Sequence, residues 1–449
     1  MSSASSPPST SQSRLSRATN SLVKVEGHEL STVLAAFFLF FFVLGSYFAV
    51  RPVRETIATL LGRAYVADLW LYTAAFSIAV VPAFGWLVAR VRRGVLLPWI
   101  YGGVALIFVA VGFVFRADEN SRTVGAFFYV WISVLNLMLV SLFWSFLLEI
   151  FSSAQAKRLF GFISAGGTAG ALAGPVITRF AVDSVGNSGI LFIAAAGFIG
   201  AIVCQRILIG IWTSREGAAA AHVREERPVD AATGGNPFAG IGIVLRSPFL
   251  WGIAGFVVLL SAANTFVYFE QLRIVEESFS DTGRRTQVFA NIEIVVQSLT
   301  IFTQIFLTGR IASTLGVRAL LTIVPCAMVI GFVALAMAPA LSVVLIVLVT
   351  RRWGEYALVR PGREMLFSAF DTETKYKAKN FIDVPVYRAA DYVGGQAKTA
   401  LDLLGSGPTG ASLVAAALAA VWVVLGWFLG RRYDRAPHAA LRTAEAPAA

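Results

Sequence analysis

Residues 341–370 read LSVVLIVLVTRRWGEYALVRPGREMLFSAF. Ten apolar-leaning residues run straight into Arg351 and Arg352, Glu355 follows one turn later, and apolar character then resumes. The stretch has the length of a membrane-spanning helix, yet it carries two cations and an anion. With the span placed at 340–359, the arginines lie about twelve residues in, or ~18 Å at 1.5 Å per residue, close to the middle of a bilayer. A charge there costs on the order of 2.5–3.5 kcal/mol on the insertion scale, so this cluster is expected to face away from lipid. Arg351 and Glu355, spaced i,i+4, share one helix face and are placed to pair.

The rest of the 449-residue chain has the same character. It is 57% apolar and only 14% charged, with a mean hydropathy of +0.72. A soluble domain is about 45–50% apolar and about 25% charged. Apolar runs at 32–50, 65–89, 95–115, 124–148, 159–182, 189–212, 248–269, 286–308, 319–337, 340–359, 378–401 and 411–430 predict twelve spans. The alternation of a membrane barrel is absent, so the expected fold is all-α, a polytopic bundle of twelve transmembrane helices in two six-helix halves. The expected units are a polar Ser/Pro-rich tail (1–29), a six-helix bundle (30–212), a charged Ala/Gly-rich linker (213–246), a second six-helix bundle (247–430) and a tail (431–449).

The formal charge of +11 does not imply a nucleic acid, because its distribution is that of a membrane protein. Of the 37 lysines and arginines, 23 fall on the side of the termini, 9 on the opposite side and five within spans. That is the positive-inside pattern, which predicts a multi-pass inner-membrane protein with both termini and the linker cytoplasmic. Cys204 and Cys326 each fall inside a span, which excludes a disulfide framework and a cysteine metal site. The three histidines, His28, His222 and His438, fall in the tails and linker. No catalytic constellation, metal-ligand cluster, ATP-hydrolysing motif or cofactor loop is present, so neither an enzyme nor a cofactor is expected.

The halves look related. Gly85-WLVARV-Arg92-Arg93 follows span two, and Gly309-RIASTL-Gly316-V-Arg318 follows span eight, 224 positions later. Each reads as a short basic loop opened by glycine. FSSAQAKRLFGFI (151–163) and FDTETKYKAKNFIDV (370–384) follow spans four and ten, 219 positions apart. Repeats of this size build secondary transporters, with the solute site between the halves. In span five, Gly166, Gly170 and Gly174 share one face, a small-residue surface for close helix packing, and Pro175 adds a kink.

Further ions fall inside the second half. Arg388 and Asp391 lie on one face of span eleven, and Glu293 lies about a third of the way along span eight with Asn291, Gln297 and Gln304. Arg51, Arg54 and Glu55 are expected at the outer end of span one, as an interfacial anchor or an outer gate. Two readings of the midplane ions stand: a self-satisfied network that locks helices, or a site for an anionic solute or a proton. Arginine forks suit phosphate or carboxylate, and Trp353, Tyr356 and Tyr392 offer flat surfaces nearby. A scaffold that transports nothing predicts full pairing and no central cavity.

Twelve spans in two halves, the basic loops after spans two and eight, and Gly170 with Gly174-Pro175 resemble the major facilitator superfamily. Ala89 and Ser313 stand where its loop signature has an acid. Three stretches are similar to the ATP:ADP antiporter (nucleotide exchange) family: SYFAVRPVRETIATLLG (46–62), VSLFWSFLLEIFSSAQAKRLFGFISAGGTAGALAGP (140–175) and KYKAKNFIDVPVYRAADYVGG (375–395). That resemblance implies alternating access, exchange of ATP for ADP or a related anion, and a distant bacterial branch. It sets Arg54 at the place of a functional lysine and Ile132, with Asn136 nearby, at a functional glutamate. It also sets Asp391 near a functional lysine and makes Glu270 the nearest candidate for an acid around span seven. Proton-coupled movement of another solute, with Glu293 or Asp391 as carrier, is the alternative.

Overall fold

A computed structural model describes residues 29–91, 93–151, 153–219, 239–370, 378–379 and 381–435. Most of the two expected tails, the middle of the expected linker (220–238) and Arg92 lie outside them. The first half comprises α1 (Leu30–Leu61), α2 (Arg63–Arg90), α3 (Arg93–Ala117), α4 (Arg122–Ile150) and the helical run Ser153–Ala219. Gly186, with φ 68° and ψ 179°, divides that run into α5 (153–185) and α6 (187–219). A side chain at such a positive φ would clash with the backbone, so glycine makes the turn. A short α7 (Ala239–Arg246) precedes the second half. The second half comprises α8 (Pro248–Ser278), α9 (282–315), α10 (Val317–Met337), α11 (341–367), α12 (382–403) and α13 (Gly407–Arg435). Among the described residues, twelve long helices thus form two six-helix halves, and there is no strand. Among the described residues, eight helical runs are long and apolar enough to cross a membrane on composition alone. The charge-bearing α11 and α12 are not among them.

Each half has its own apolar core. In the first, α1 lies between α5 and α6. A Cβ on Gly166, Gly170 or Gly174 would strike the α1 backbone at Phe37, Phe41 and Gly45, and one on Gly197 would strike Ser46. Thr178 Oγ1 donates to Ala49 O at 2.7 Å across the same contact. Pro175 lies within α5. In the second half, Gly426 and Gly430 of α13 lie on α10 at Leu321 and Arg318. Asp434 caps the start of α10, accepting from Val317 N at 3.0 Å and Arg318 N at 3.2 Å.

The chain enters at α1 and leaves at α13 on one face, here the terminal face; the other is the far face. The cores merge toward the far face, where Trp70 of α2 packs on Phe269 of α8 with ring centroids 5.1 Å apart.

Three helices of the second half are not regular. Wide π-type turns occupy Gln304–Thr308 in α9, Glu355–Val359 in α11 and Ile382–Val386 in α12. Proline accounts for two of them, since it has no N–H to give the carbonyl four residues back. Pro361 cannot bond Ala357 O, and Arg360 N–H reaches back five residues to Glu355 O. The two carbonyls so released are taken by α9: Thr308 Oγ1 donates to Ala357 O at 2.8 Å and Gln304 Nε2 to Tyr356 O at 3.0 Å. Pro385 lies inside the turn of α12.

Two sequence expectations change. Gly85 and Gly309 do not open loops: α2 runs on to Arg90, and α9 runs through Gly309 to Leu315. The chain turns at Val91, in an extended conformation, and at Gly316, with φ 80°. The helices outlast the apolar pattern because Ala, Arg and Leu propagate a helix beyond a membrane surface. Arg93 opens α3, and Arg318 lies in the first turn of α10. Helix also extends into both ends of the expected 213–246 linker, to Ala219 and from Ala239.

Candidate functional site: a charged cavity between the halves

The first helix departs most from expectation. The sequence places its apolar run at 32–50 and Arg51 and Arg54 at its outer end; α1 instead continues to Leu61. Pro52 reads as a stop, yet Val53, Thr56, Ile57 and Ala58 are buried and hold the helix on through it. Arg51 therefore lies ten residues from the far end of α1, ~15 Å at 1.5 Å per residue. Arg351 lies ten residues from the start of α11 at the same face. The two arginines thus lie at the same depth, one in each half, and both line the space between the halves.

There a cavity of about 230 Å³ opens, lined by α1, α2, α4, α8, α11 and α12. Arg51, Arg54, Arg351, Arg352, Arg388, Glu55, Glu355 and Asp391 are on its wall, with Tyr47, Tyr129, Tyr268, Tyr356, Tyr387 and Trp70. Glu293 stands just behind, 1% exposed, held by Arg352 Nη2 at 2.5 Å and Arg51 Nε at 3.4 Å. Arg51 also donates to Tyr356 Oη at 3.4 Å. Arg54 pairs with Glu55 at 2.6 Å, donates to Ser133 Oγ at 3.2 Å and lies 5.0 Å over the Tyr129 ring. Arg351 pairs with Glu355 at 2.5 Å. Arg388 reaches Asp391 at 3.5 Å and, across the halves, Ser133 O at 3.3 Å; Ser261 Oγ donates to Asp391 at 2.6 Å.

Five arginines thus meet four acids, Glu55, Glu293, Glu355 and Asp391, so the cluster carries one surplus positive charge. Buried Arg54 Nε and Arg351 Nε have no hydrogen-bond partner. Buried donors are satisfied in folded proteins by protein, water or ligand. A surplus cation on a cavity wall is the chemistry of an anion site. On the cavity wall a hydrogen-bonded row runs from α2 through α4 to α8: Trp70 Nε1 donates to Tyr129 Oη, and Tyr129 Oη meets Tyr268 Oη, each at 2.9 Å.

The structure gathers Arg51, Arg54, Glu293, Arg351, Arg352, Glu355, Arg388 and Asp391 at this one place. It does not bring Glu270 there: that carboxylate pairs with Arg273 one turn along its own helix, and Gln271 faces the cavity instead. Trp353 turns to Thr303 Oγ1 at 2.8 Å, and Tyr392 is not on the wall described here, whereas Tyr356 is. Ile132 is buried in the first core; its neighbour Ser133 is the cavity residue. Sequence reading missed Tyr47, Trp70, Tyr129, Ser133, Asn264, Tyr268 and Tyr387. Single polar or aromatic residues in apolar helices carry no periodic signal, and only their convergence marks them. No cluster of three or more His, Cys, Asp or Glu placed to hold a metal occurs among the described residues.

No protein-family model and no curated protein sequence matches the chain. Solved structures do. A bacterial homologue of the iron transporter ferroportin, in an inward-facing state, is similar with a TM-score of 0.62 at 12% identity, covering 92% of this chain and 100% of that one. A POT family transporter in complex with a thioalcohol-conjugated peptide is similar with a TM-score of 0.59 at 12% identity, covering 90% and 96%. The nucleoside transporter NupG is similar with a TM-score of 0.55 at 15% identity, covering 92% and 100%. The chain has the twelve-helix major-facilitator-type fold of a multi-pass membrane protein. Its likeness to the ATP:ADP antiporters rests on the three quoted sequence stretches alone.

Proposed function

We propose that the chain is a secondary transporter that carries an organic anion by alternating access, in exchange for a second anion. Nucleotides of the ATP/ADP type are the cargo that the sequence resemblance implies. The observation that carries this reading is the surplus arginine charge on the wall of a cavity between two halves. The aromatic wall adds surfaces on which a base would stack. A non-transporting scaffold requires paired ions and no central space; the pairs exist here, but so does the cavity. The basic asymmetry, 23 to 7 once Arg51 and Arg54 are taken off the outer side because they lie within α1, supports cytoplasmic termini in a bacterial inner membrane. Labelling of Arg215→Cys rather than Thr409→Cys by an impermeant thiol reagent, with both native cysteines replaced, would reverse that orientation.

The test is uptake into proteoliposomes. Labelled ATP should enter vesicles preloaded with ADP and not empty ones, and Arg352→Ala should abolish uptake. Transport of neutral nucleosides but of no anion would overturn the reading. One observation favours a second: Asp391 has the longest of the cavity's same-helix ion pairs. Uptake driven by a pH gradient into vesicles without internal anion, and lost in Asp391→Asn, would select proton coupling.

A further inference from the structure

Helices α1 and α9 belong to opposite halves and run antiparallel, and three contacts join them in a row. Nearest the cavity, Arg51 Nε meets Glu293 at 3.4 Å. Further out, the hydroxyls of Thr56 and Thr286 are 2.6 Å apart. Closest to the far face, Arg285 Nη1 donates to Thr59 Oγ1 at 2.9 Å. The outer two have a neutral acceptor; the inner one is an ion pair between a half-buried arginine and a buried glutamate.

We propose that this row is a zipper that keeps the far face closed in the empty protein, and that a cargo anion opens it by drawing Arg51 away from Glu293. The proposal rests on the anion-carrying reading above. Arg51 and Arg352 both line the cavity and both hold Glu293, so an anion entering it competes with Glu293 for the same two guanidiniums. Their distances decide which one yields. Arg352 is 2.5 Å from Glu293 and lies in the same half, whereas Arg51 is 3.4 Å away across the gap. When Arg51 swings to the cargo, Arg352 remains, so the buried carboxylate is never left unpaired, the situation that makes breaking an ion pair costly. Two arginines on one acid thus allow a transferable contact. An empty carrier keeps the ion pair and stays closed; a loaded one has lost it. Glu293 acts as a stand-in for the cargo, and exchange follows because the unloaded protein does not reorient.

The experiment needs no knowledge of the cargo. In the full chain with Cys204 and Cys326 replaced, Asn120→Cys in the first half and Leu404→Cys in the second carry spin labels at the far face. Pulsed dipolar spectroscopy then reads the distance between the halves. Without added anion, Glu293→Gln should raise the open-to-closed ratio by roughly tenfold (~1.4 kcal/mol). Glu355→Gln, which removes the same charge from the cavity without touching α1, should leave the distance distribution unchanged. Thr56→Val should open the far face by a smaller factor, and it remains informative if Glu293→Gln does not fold. An unchanged distribution in the folded Glu293→Gln protein sinks the zipper, as does equal opening by Glu355→Gln. ATP and inorganic phosphate, added to the otherwise wild-type protein, should reproduce the opening. If neither does while Glu293→Gln opens, the zipper stands and a phosphate-bearing cargo is what falls.

Discussion

The two halves share a six-helix frame but use it differently. In the first, charge reaches the cavity on α1 alone, and α1 is seated between α5 and α6 by glycines that leave no room between backbones. In the second, Glu293, Arg351, Arg352, Glu355, Arg388 and Asp391 are spread over three helices. Each of those three helices contains a π-type turn, a feature absent from the first half among its described residues. Such turns concentrate at functional sites because they free backbone groups and shift the register of side chains. The contrast suggests a division of labour: the first half presents one rigid charged helix, and the second supplies an adjustable polar wall.

Substitution of matched glycines gives the largest effect and tests the rigid side of the contrast. A side chain at Gly170 meets Phe41 O and Gly45 N of α1, which are backbone atoms that cannot yield. Gly170→Leu should leave little folded protein, beyond the roughly 1–3 kcal/mol of ordinary overpacking. Nothing lies within 4 Å of a Cβ at Gly309, so Gly309→Leu should fold with a Tm close to wild type. The two yields, compared by size-exclusion chromatography in detergent, break the comparison if they match.

The next effect concerns the charged side. Removing Arg352 strips Glu293 of its nearer partner while Arg51 remains. Arg352→Ala should therefore cost less than the roughly 3–5 kcal/mol of a buried charge left wholly alone. Adding Glu293→Ala should recover most of the lost Tm. Arg54→Ala should cost less than Arg352→Ala, because Glu55, 6% exposed, is on the cavity wall whereas Glu293, 1% exposed, stands behind it. An Arg54→Ala loss as large as that of Arg352→Ala would remove the distinction between the halves.

Much of this contrast was legible in the sequence, and what was not has identifiable causes. The membrane class, the twelve spans and the Arg351–Glu355 pair follow from apolar run length and helical spacing, which are local. The glycine face of α5 follows from a four-residue repeat, although only the structure names α1 as what it touches. In the sequence Arg51 and Arg54 look like a helix end, because Pro52 stands among three charges there. The burial of Val53 and Ile57 by neighbouring helices overrides that local signal. The partner of Glu293 in the other half was hidden because Arg51 is 242 positions away. The π-type turns were hidden because Pro361 alone does not reveal whether a helix stops, kinks or widens; that depends on whether another helix takes the released carbonyls.

That dependence yields the smallest and most specific effect. Thr308 supplies a hydroxyl to Ala357 O, the carbonyl that Pro361 cannot bond. Thr308→Val keeps the shape of the side chain and removes the donor, so it should cost about 1–2 kcal/mol as an unsatisfied buried carbonyl. Pro361→Ala restores a backbone N–H that can reach Ala357 O within the helix, and by itself should change stability by less than about 1 kcal/mol, since the restored bond replaces one already made. The double variant separates this account from ordinary packing. If Thr308 matters because Pro361 frees the carbonyl, Thr308→Val should become nearly neutral once Pro361 is alanine, a coupling of about 1 kcal/mol in a double-mutant cycle. If the two changes simply add in thermal or denaturant melts, the wide turn of α11 has another origin. The irregular wall of the second half would then not be held in place by α9.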